Sequence, residues 1–187
     1  MTRTRDPDAK KQLLLEAGLG EFAEHGISGA RIDRLAKRAG VSAGLVYTYF
    51  DNKEGLFEAV YDTIVEQVTE AAPITPDDLA DYAGRLFDAA GQHPEVMRFV
   101  AWYALERGDD AATPAAVTQS MSEKTTAIAA AQQRGAVTDR WSPGQLLALV
   151  LTLANMWDRH GDGVRGLVPE HEHRATIVQA VRALTTP

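Results

Sequence analysis

Apolar residues recur every three to four positions along most of the chain. No stretch shows the period of two that a half-buried strand requires. The pattern predicts an all-α fold. A first helix runs from about Asp8 to His25 on a stripe of Leu14, Leu15, Gly18 and Phe22, and Gly26 supplies its stop. Gly18 weakens that helix intrinsically, and a close approach of another helix is what would offset the loss. A second helix, about Arg31–Ala39, places Ile32, Leu35, Ala36 and Ala39 on one face and basic residues on the others. Gly40 allows a tight turn. Ser42 is an N-cap for a short third helix, Ala43–Tyr49, anchored through Val46 and Phe50. Asp51 or Asn52 then caps a long fourth helix, about Lys53–Glu70, carrying Leu56, Val60 and Ile64.

The stretch Ala71-Ala72-Pro73-Ile74-Thr75-Pro76 is the clearest boundary, because two prolines forbid a continuous helix. Five further helices follow. Asp77–Ala90 is closed by Gly91, and Pro94–Arg107 by Gly108. A third starts at Thr113-Pro114 and ends near Gly135. Pro143–Arg159 opens on Ser142-Pro143, an N-cap followed by proline at the first helical position. Pro169–Thr185 carries Ile177, Val178, Val181 and Leu184 on one stripe. Residues 1–53 are assigned to one domain, with an arm over 1–8, and residues 54–187 to a second.

Two short helices joined by a glycine turn, with tyrosines and a lysine at the far end, have the build of a helix-turn-helix. Such a unit lays one helix into the major groove of DNA. A rod as short as the third helix is not stable alone. Val46 and Phe50 hold it, which leaves Ala43, Gly44, Leu45, Tyr47 and Thr48 for the groove. Ala43 and Gly44 permit close backbone approach, and Leu45 suits a thymine methyl. Tyr47, Tyr49 and Lys53 are candidates for phosphate, as are Arg31, Arg34 and the arm residues Arg3 and Arg5, and Ser42 is a further DNA-binding candidate. The surface is poor in the best base-edge readers, so DNA shape is expected to carry much of the selectivity.

Charge supports this placement. The 187-residue chain is acidic overall, with a formal net charge of -7. Residues 1–53 nevertheless hold nine basic against seven acidic residues, a net of +2, and the remainder carries -9. The positive balance coincides with the expected DNA-reading unit. The 45% apolar content fits a globular protein, and the absence of cysteine excludes disulfide and thiolate chemistry. The N-terminus is too polar for a signal peptide, and the longest apolar run, Leu146–Trp157, is too short to span a bilayer. A cytoplasmic protein is expected.

Residues 9–60 resemble the DNA-binding domain of the tetracycline-repressor (TetR) family of transcriptional regulators. The matching residues are Phe22, Ala23, Gly26, Ile32, Leu35, Ala36, Ala39, Gly40, Val41, Ser42, Gly44, Tyr47, Tyr49, Phe50, Lys53, Glu54 and Leu56. The chain departs from the pattern twice. Ala30 and Arg31 stand where the family often has a hydroxyl residue that touches phosphate, and Glu21 stands where an apolar residue often precedes the Phe. The resemblance implies a homodimer that binds a pseudo-palindromic operator, and a C-terminal helical domain for a small-molecule effector and for dimerisation. It also implies repression. Binding of the effector would release the DNA.

The body contributes candidates of its own. Val96–Tyr103 and Leu146–Trp157 are bulky on most sides, so each is expected to be buried on several faces. Met97, Arg98, Trp102, Tyr103, Asn155, Met156 and Trp157 are the candidate pocket residues, each with ordinary core packing as its simpler reading. The helices Pro143–Arg159 and Pro169–Thr185 are expected to form a four-helix contact across a twofold axis. His171 and His173, two apart, do not share a helix face, so no metal site is expected. Asp77-Asp78 reads as a helix start and Asp109-Asp110 as a turn. No motif of an enzyme is present, and no cofactor is expected. Two other readings stay open: a small helical ligand carrier or enzyme with a vestigial helix-turn-helix, and a regulator without an effector.

Overall fold

A computed structural model of the chain describes residues 7–107 and 113–187. Arg3, Arg5, Gly108 and the Asp109-Asp110 pair lie outside the described residues. The described chain is built from α1 (Pro7–Gly29), α2 (Ile32–Ala39), α3 (Ala43–Phe50), α4 (Lys53–Ala71), α5 (Leu79–Gln92) and α6 (Pro94–Arg107). These are followed by α7 (Ala115–Gln133), α8 (Pro143–Ala154), α9 (Met156–Arg159), α10 (Asp162–Arg165) and α11 (Glu170–Thr185). No strand occurs among the described residues. None of the described helices is long and apolar enough to cross a membrane.

Two compact units result, and they do not follow the boundary at Lys53. The first joins residues 1–65 with 94–114, so α6 belongs with the N-terminal helices. Its interior is aromatic. Phe22 of α1 meets Phe57 of α4 edge-on at 5.2 Å, and Phe57 stacks on Phe99 of α6 at 4.6 Å. Tyr61 and Tyr103 extend the cluster, with their ring centroids 4.8 Å apart. Phe22, Phe57 and Phe99 are each almost wholly buried. Edge-on and offset contacts of this kind add roughly 0.5–1.5 kcal/mol per pair beyond the burial itself. Gly18 faces Leu56 and Val60, and a methyl group there would come within 3.0 Å of Val60, so α1 and α4 do pass closely.

The second unit, residues 66–93 and 115–187, packs α5 against α8 and α11, and α7 against α8. Its core holds Leu79, Tyr82, Leu86, Ile128, Leu146, Leu147, Val150, Trp157, Ile177 and Val181. Ser142 closes a full capping box on α8. Its hydroxyl accepts from the Gln145 amide at 3.3 Å, while the Ser142 amide donates to the Gln145 side chain at 2.9 Å.

Three element boundaries differ from expectation. The helix expected over Pro143–Arg159 breaks at Asn155, whose φ of -108° and ψ of 14° leave the helical range. Its side-chain Nδ2 donates to the Leu151 carbonyl at 2.9 Å, satisfying an acceptor at the helix end. α10 has no counterpart in the apolar pattern. Helical hydrogen bonding in α1 resumes after Gly26, which itself is non-helical at φ 70° and ψ 178°.

Candidate nucleic-acid interface

α2 ends as its sequence requires. Gly40 adopts the left-handed conformation, φ 67° and ψ 31°, and its amide and that of Val41 bond back to Lys37 and Ala36. The turn aims α3 away from α2. Val46 and Phe50 face inward and are buried, whereas Gly44, Tyr47 and Thr48 are exposed. Tyr47 is 52% exposed. Ala43, Leu45 and Tyr49 are half-buried between these extremes.

Ser42 takes the N-cap position, with φ -78° and ψ 147°, yet its hydroxyl makes no capping bond. The expected cap is therefore positional only. The hydroxyl is exposed, and the Leu45 amide of the first turn donates to the Ser42 carbonyl at 3.0 Å instead. The Thr48 hydroxyl donates to the Gly44 carbonyl at 3.0 Å. Asn52, rather than Asp51, caps α4 by accepting from the Gly55 amide at 2.8 Å. Asp51 instead carries a positive φ of 59°, the only such non-glycine among the described residues. Lys53 follows at the start of α4, half-buried.

Two candidates are engaged within the fold. The Tyr49 hydroxyl donates to the Pro7 carbonyl at 3.1 Å, which ties the start of α1 to α3. Arg34 pairs with Glu21 of α1 at 2.6 Å and donates a further bond to the Gly29 carbonyl at 2.9 Å. Glu21 is 1% exposed, so the departure at that position is a buried carboxylate with a partner. Burial works to raise its pKa. Hydrogen bonds from Arg34 and the Arg31 amide, with the charges of Arg34 and His25, outweigh that and leave the carboxyl below its ordinary value. Sequence reasoning noted Glu21 only as an irregularity. An acidic residue in an apolar stripe signals a buried pair, but the partner is set by how α2 lies on α1.

The pocket candidates divide between the two units. Met97, Arg98, Trp102 and Tyr103 belong to the first, and Asn155, Met156 and Trp157 to the second. Arg98 is exposed and Met97 half-buried. Tyr103 lies in the aromatic cluster, stacked on Phe57 at 5.9 Å. Trp157 is core: its ring stacks on His173 at 4.0 Å and its Nε1 donates to the His173 carbonyl at 3.2 Å. Asn155 and Met156 are half-buried.

Comparison with known proteins agrees with this geometry. Residues 14–60 match the family described as bacterial regulatory proteins of the tetR family. Residues 78–183 match the tetracyclin repressor-like C-terminal domain. The chain is 38% identical over 152 residues to the HTH-type transcriptional repressor SCO4008 of Streptomyces coelicolor, covering 81% of this chain and 79% of that one. It is similar to the crystal structure of the transcriptional regulator SCO4942 from Streptomyces coelicolor, with a TM-score of 0.83 and 31% identity. That match covers 94% of this chain and 98% of the other. A TetR family regulator from Marinobacter aquaeolei shares the fold, with a TM-score of 0.75 at 24% identity over 98% of both chains. With the reading helix exposed on its glycine turn and both parts of the chain matched, this protein belongs to the TetR family of DNA-binding transcriptional regulators.

Proposed function

We propose that the protein is a cytoplasmic, homodimeric repressor that leaves a pseudo-palindromic operator when a small molecule binds. The observation that carries the DNA-binding part is the orientation of α3. It keeps Val46 and Phe50 buried and shows Gly44, Tyr47 and Thr48 to solvent. Residues 1–53 serve as the DNA-binding domain in this reading. Ser42, Tyr47, Lys53 and Arg31 meet phosphate, while Ala43, Gly44, Leu45 and Thr48 line the groove. Repression is supported by the name of the relative SCO4008. The protein acts without catalysis and without a cofactor.

Dimerisation through α8 and α11 is supported by their outer faces. Gly144, Ala148 and Thr152 form an exposed row of small residues on α8, and Ala175, Gln179 and Arg182 are exposed on α11. A twofold pair of reading heads would address half-sites about one DNA turn apart. The effector is sensed by the helices beyond the reading head, with half-buried Asn155 and Met156 as first candidates. Its release of DNA would follow from stabilising a spacing of the heads that the operator does not match.

The test is direct. Tyr47→Ala and Lys53→Ala should each weaken binding to a selected operator duplex by about 1 kcal/mol per lost contact, with the dimer intact by light scattering. Unchanged affinity in both variants would overturn the placement of the reading helix.

A further inference from the structure

We infer that Arg34 is a positioning residue withheld from DNA by Glu21, and that this clasp sets the backbone from which Arg31 reaches phosphate. The inference rests on the reading of α3 as the DNA-reading helix. One carboxylate oxygen of Glu21 accepts both the Arg31 amide, at 2.9 Å, and Arg34 Nε, at 2.9 Å. Arg34 also donates to the Gly29 carbonyl. The segment Gly29-Ala30-Arg31 is thereby held from both sides, at the point where α2 begins. Arg31 is the N-cap of α2, in extended conformation with φ -124° and ψ 126°, and no side chain caps it. The Glu21 carboxylate satisfies the Arg31 amide itself, fixing the backbone at the helix start without capping the amides of the first turn.

The burial of Glu21 decides which way Arg34 turns. Moving its guanidinium to a phosphate would leave a carboxylate that is 1% exposed without its main counter-ion. Arg34 is itself 42% exposed, but leaving a buried charge without its partner is strongly unfavourable, far more so than opening a pair in which both groups are exposed. Arg38 offers the contrast. It pairs with Glu24 at 2.9 Å, but both side chains are about half exposed, so that pair opens at little cost. The side chain of Arg31 is exposed and none of its atoms is engaged in a described hydrogen bond or ion pair. Two arginines three residues apart therefore have different tasks: one holds the element, the other meets the duplex.

Salt dependence separates these tasks. A phosphate contact releases counter-ions, so its loss flattens the plot of log affinity against log salt by about 0.9. A positioning residue lowers affinity at every salt concentration without changing that slope. The probe is a fluorescent duplex that the intact protein selects from a randomised pool, titrated by anisotropy at several salt concentrations. Arg31→Gln should flatten the slope by about 0.9 for each contact removed. Arg34→Gln and Glu21→Gln should each lower affinity several-fold with the slope of the unsubstituted protein. The double variant should be no weaker than the weaker single one, as expected of residues that act together. If Arg34→Gln does not fold, Glu21→Met with Arg34→Met replaces the pair by apolar side chains and should keep the same slope. A slope flattened by Arg34→Gln as much as by Arg31→Gln, with no effect of Glu21→Gln, overturns the inference. An unsubstituted protein that selects no duplex overturns the regulator reading itself, and this inference with it.

Discussion

Ser120, Lys124, Ile128 and Ala131 form one buried stripe along α7. Lys124 is 7% exposed, and its amine donates to the Ser120 hydroxyl at 2.8 Å. Burial pushes the Lys124 amine below its ordinary value, against a small opposing effect of Glu123. A base depressed by folding binds fewer protons folded than unfolded over the interval between its two pKa values. Stability therefore rises with pH through that interval, up to about the ordinary value of 10.5. Below it, the folded state carries the cost of a buried charge. Lys124→Met should accordingly raise the unfolding free energy by about 1 kcal/mol at neutral pH. The gain should shrink as pH approaches the unfolded value, and urea denaturation at neutral and alkaline pH would measure both. A Lys124→Met protein less stable at pH 7 would show that the ammonium is compensated. The spacing of Lys124 four residues before Ile128 puts it on the apolar face, but a lysine there reads equally well as a stem lying along the surface with its amine in water. Glu21 shares this ambiguity, because the sequence shows the residue and not the arginine that turns toward it.

At the scale of elements, the helices whose ends are marked by local chemistry were legible. Gly40, Asn52, the Ser142-Pro143 pair and Gly135 act within a few residues of themselves, so their effect is written beside them in the chain. α6 runs over Pro94–Arg107, the span read from the sequence. The break at Asn155 was hidden because apolar periodicity passes through it unchanged. The bend in α1 shows how one residue ties local shape to packing. Gly26 holds φ 70° and ψ 178°, a region that essentially only glycine adopts. After the bend, the Ser28 amide and hydroxyl donate to the Glu106 carboxylate of α6 at 2.8 and 3.1 Å. A methyl group on Gly26 would lie 3.0 Å from the Trp102 ring and would press on Glu106. Gly26→Ala thus combines backbone strain with a clash against α6. It should destabilise the protein by about 2 kcal/mol, or roughly 4–8 °C in melting temperature for a chain of this length. A thermal melt within a degree of the original would show that the bend relaxes freely. Trp102 was read as a pocket candidate from its bulk; its place against Gly26 gives it a packing role at the α1–α6 contact.

For the whole molecule, the prolines at residues 73 and 76 end α4 without dividing the units, which part at residues 65 and 66 within that helix, and the return of α6 to the N-terminal helices could not be read. That return depends on aromatic pairing between residues as distant as Phe22 and Phe99, which no window along the chain contains. Charge is uneven along the chain, with a net of +2 over residues 1–53 against -7 for the whole. A single head of this size binds weakly, so operator affinity on the proposed reading must come from two copies held together. The exposed row of Gly144, Ala148 and Thr152 lies opposite the core-facing Leu146, Leu147 and Val150. A charge at its centre would be desolvated and, on a twofold contact, brought near its own copy. Ala148→Glu should therefore yield a folded chain of 20.3 kDa by light scattering, where the proposed dimer of the unsubstituted protein should give twice that mass. Its helical circular dichroism should be retained, because Ala148 is exposed within the single chain. Loss of the linked second half-site should weaken binding to a two-half-site duplex by about 10²–10⁴-fold, while affinity for an isolated half-site stays the same. A variant that remains dimeric would place the twofold contact elsewhere. A monomer that binds the full duplex as tightly as before would remove the need for a dimer at all.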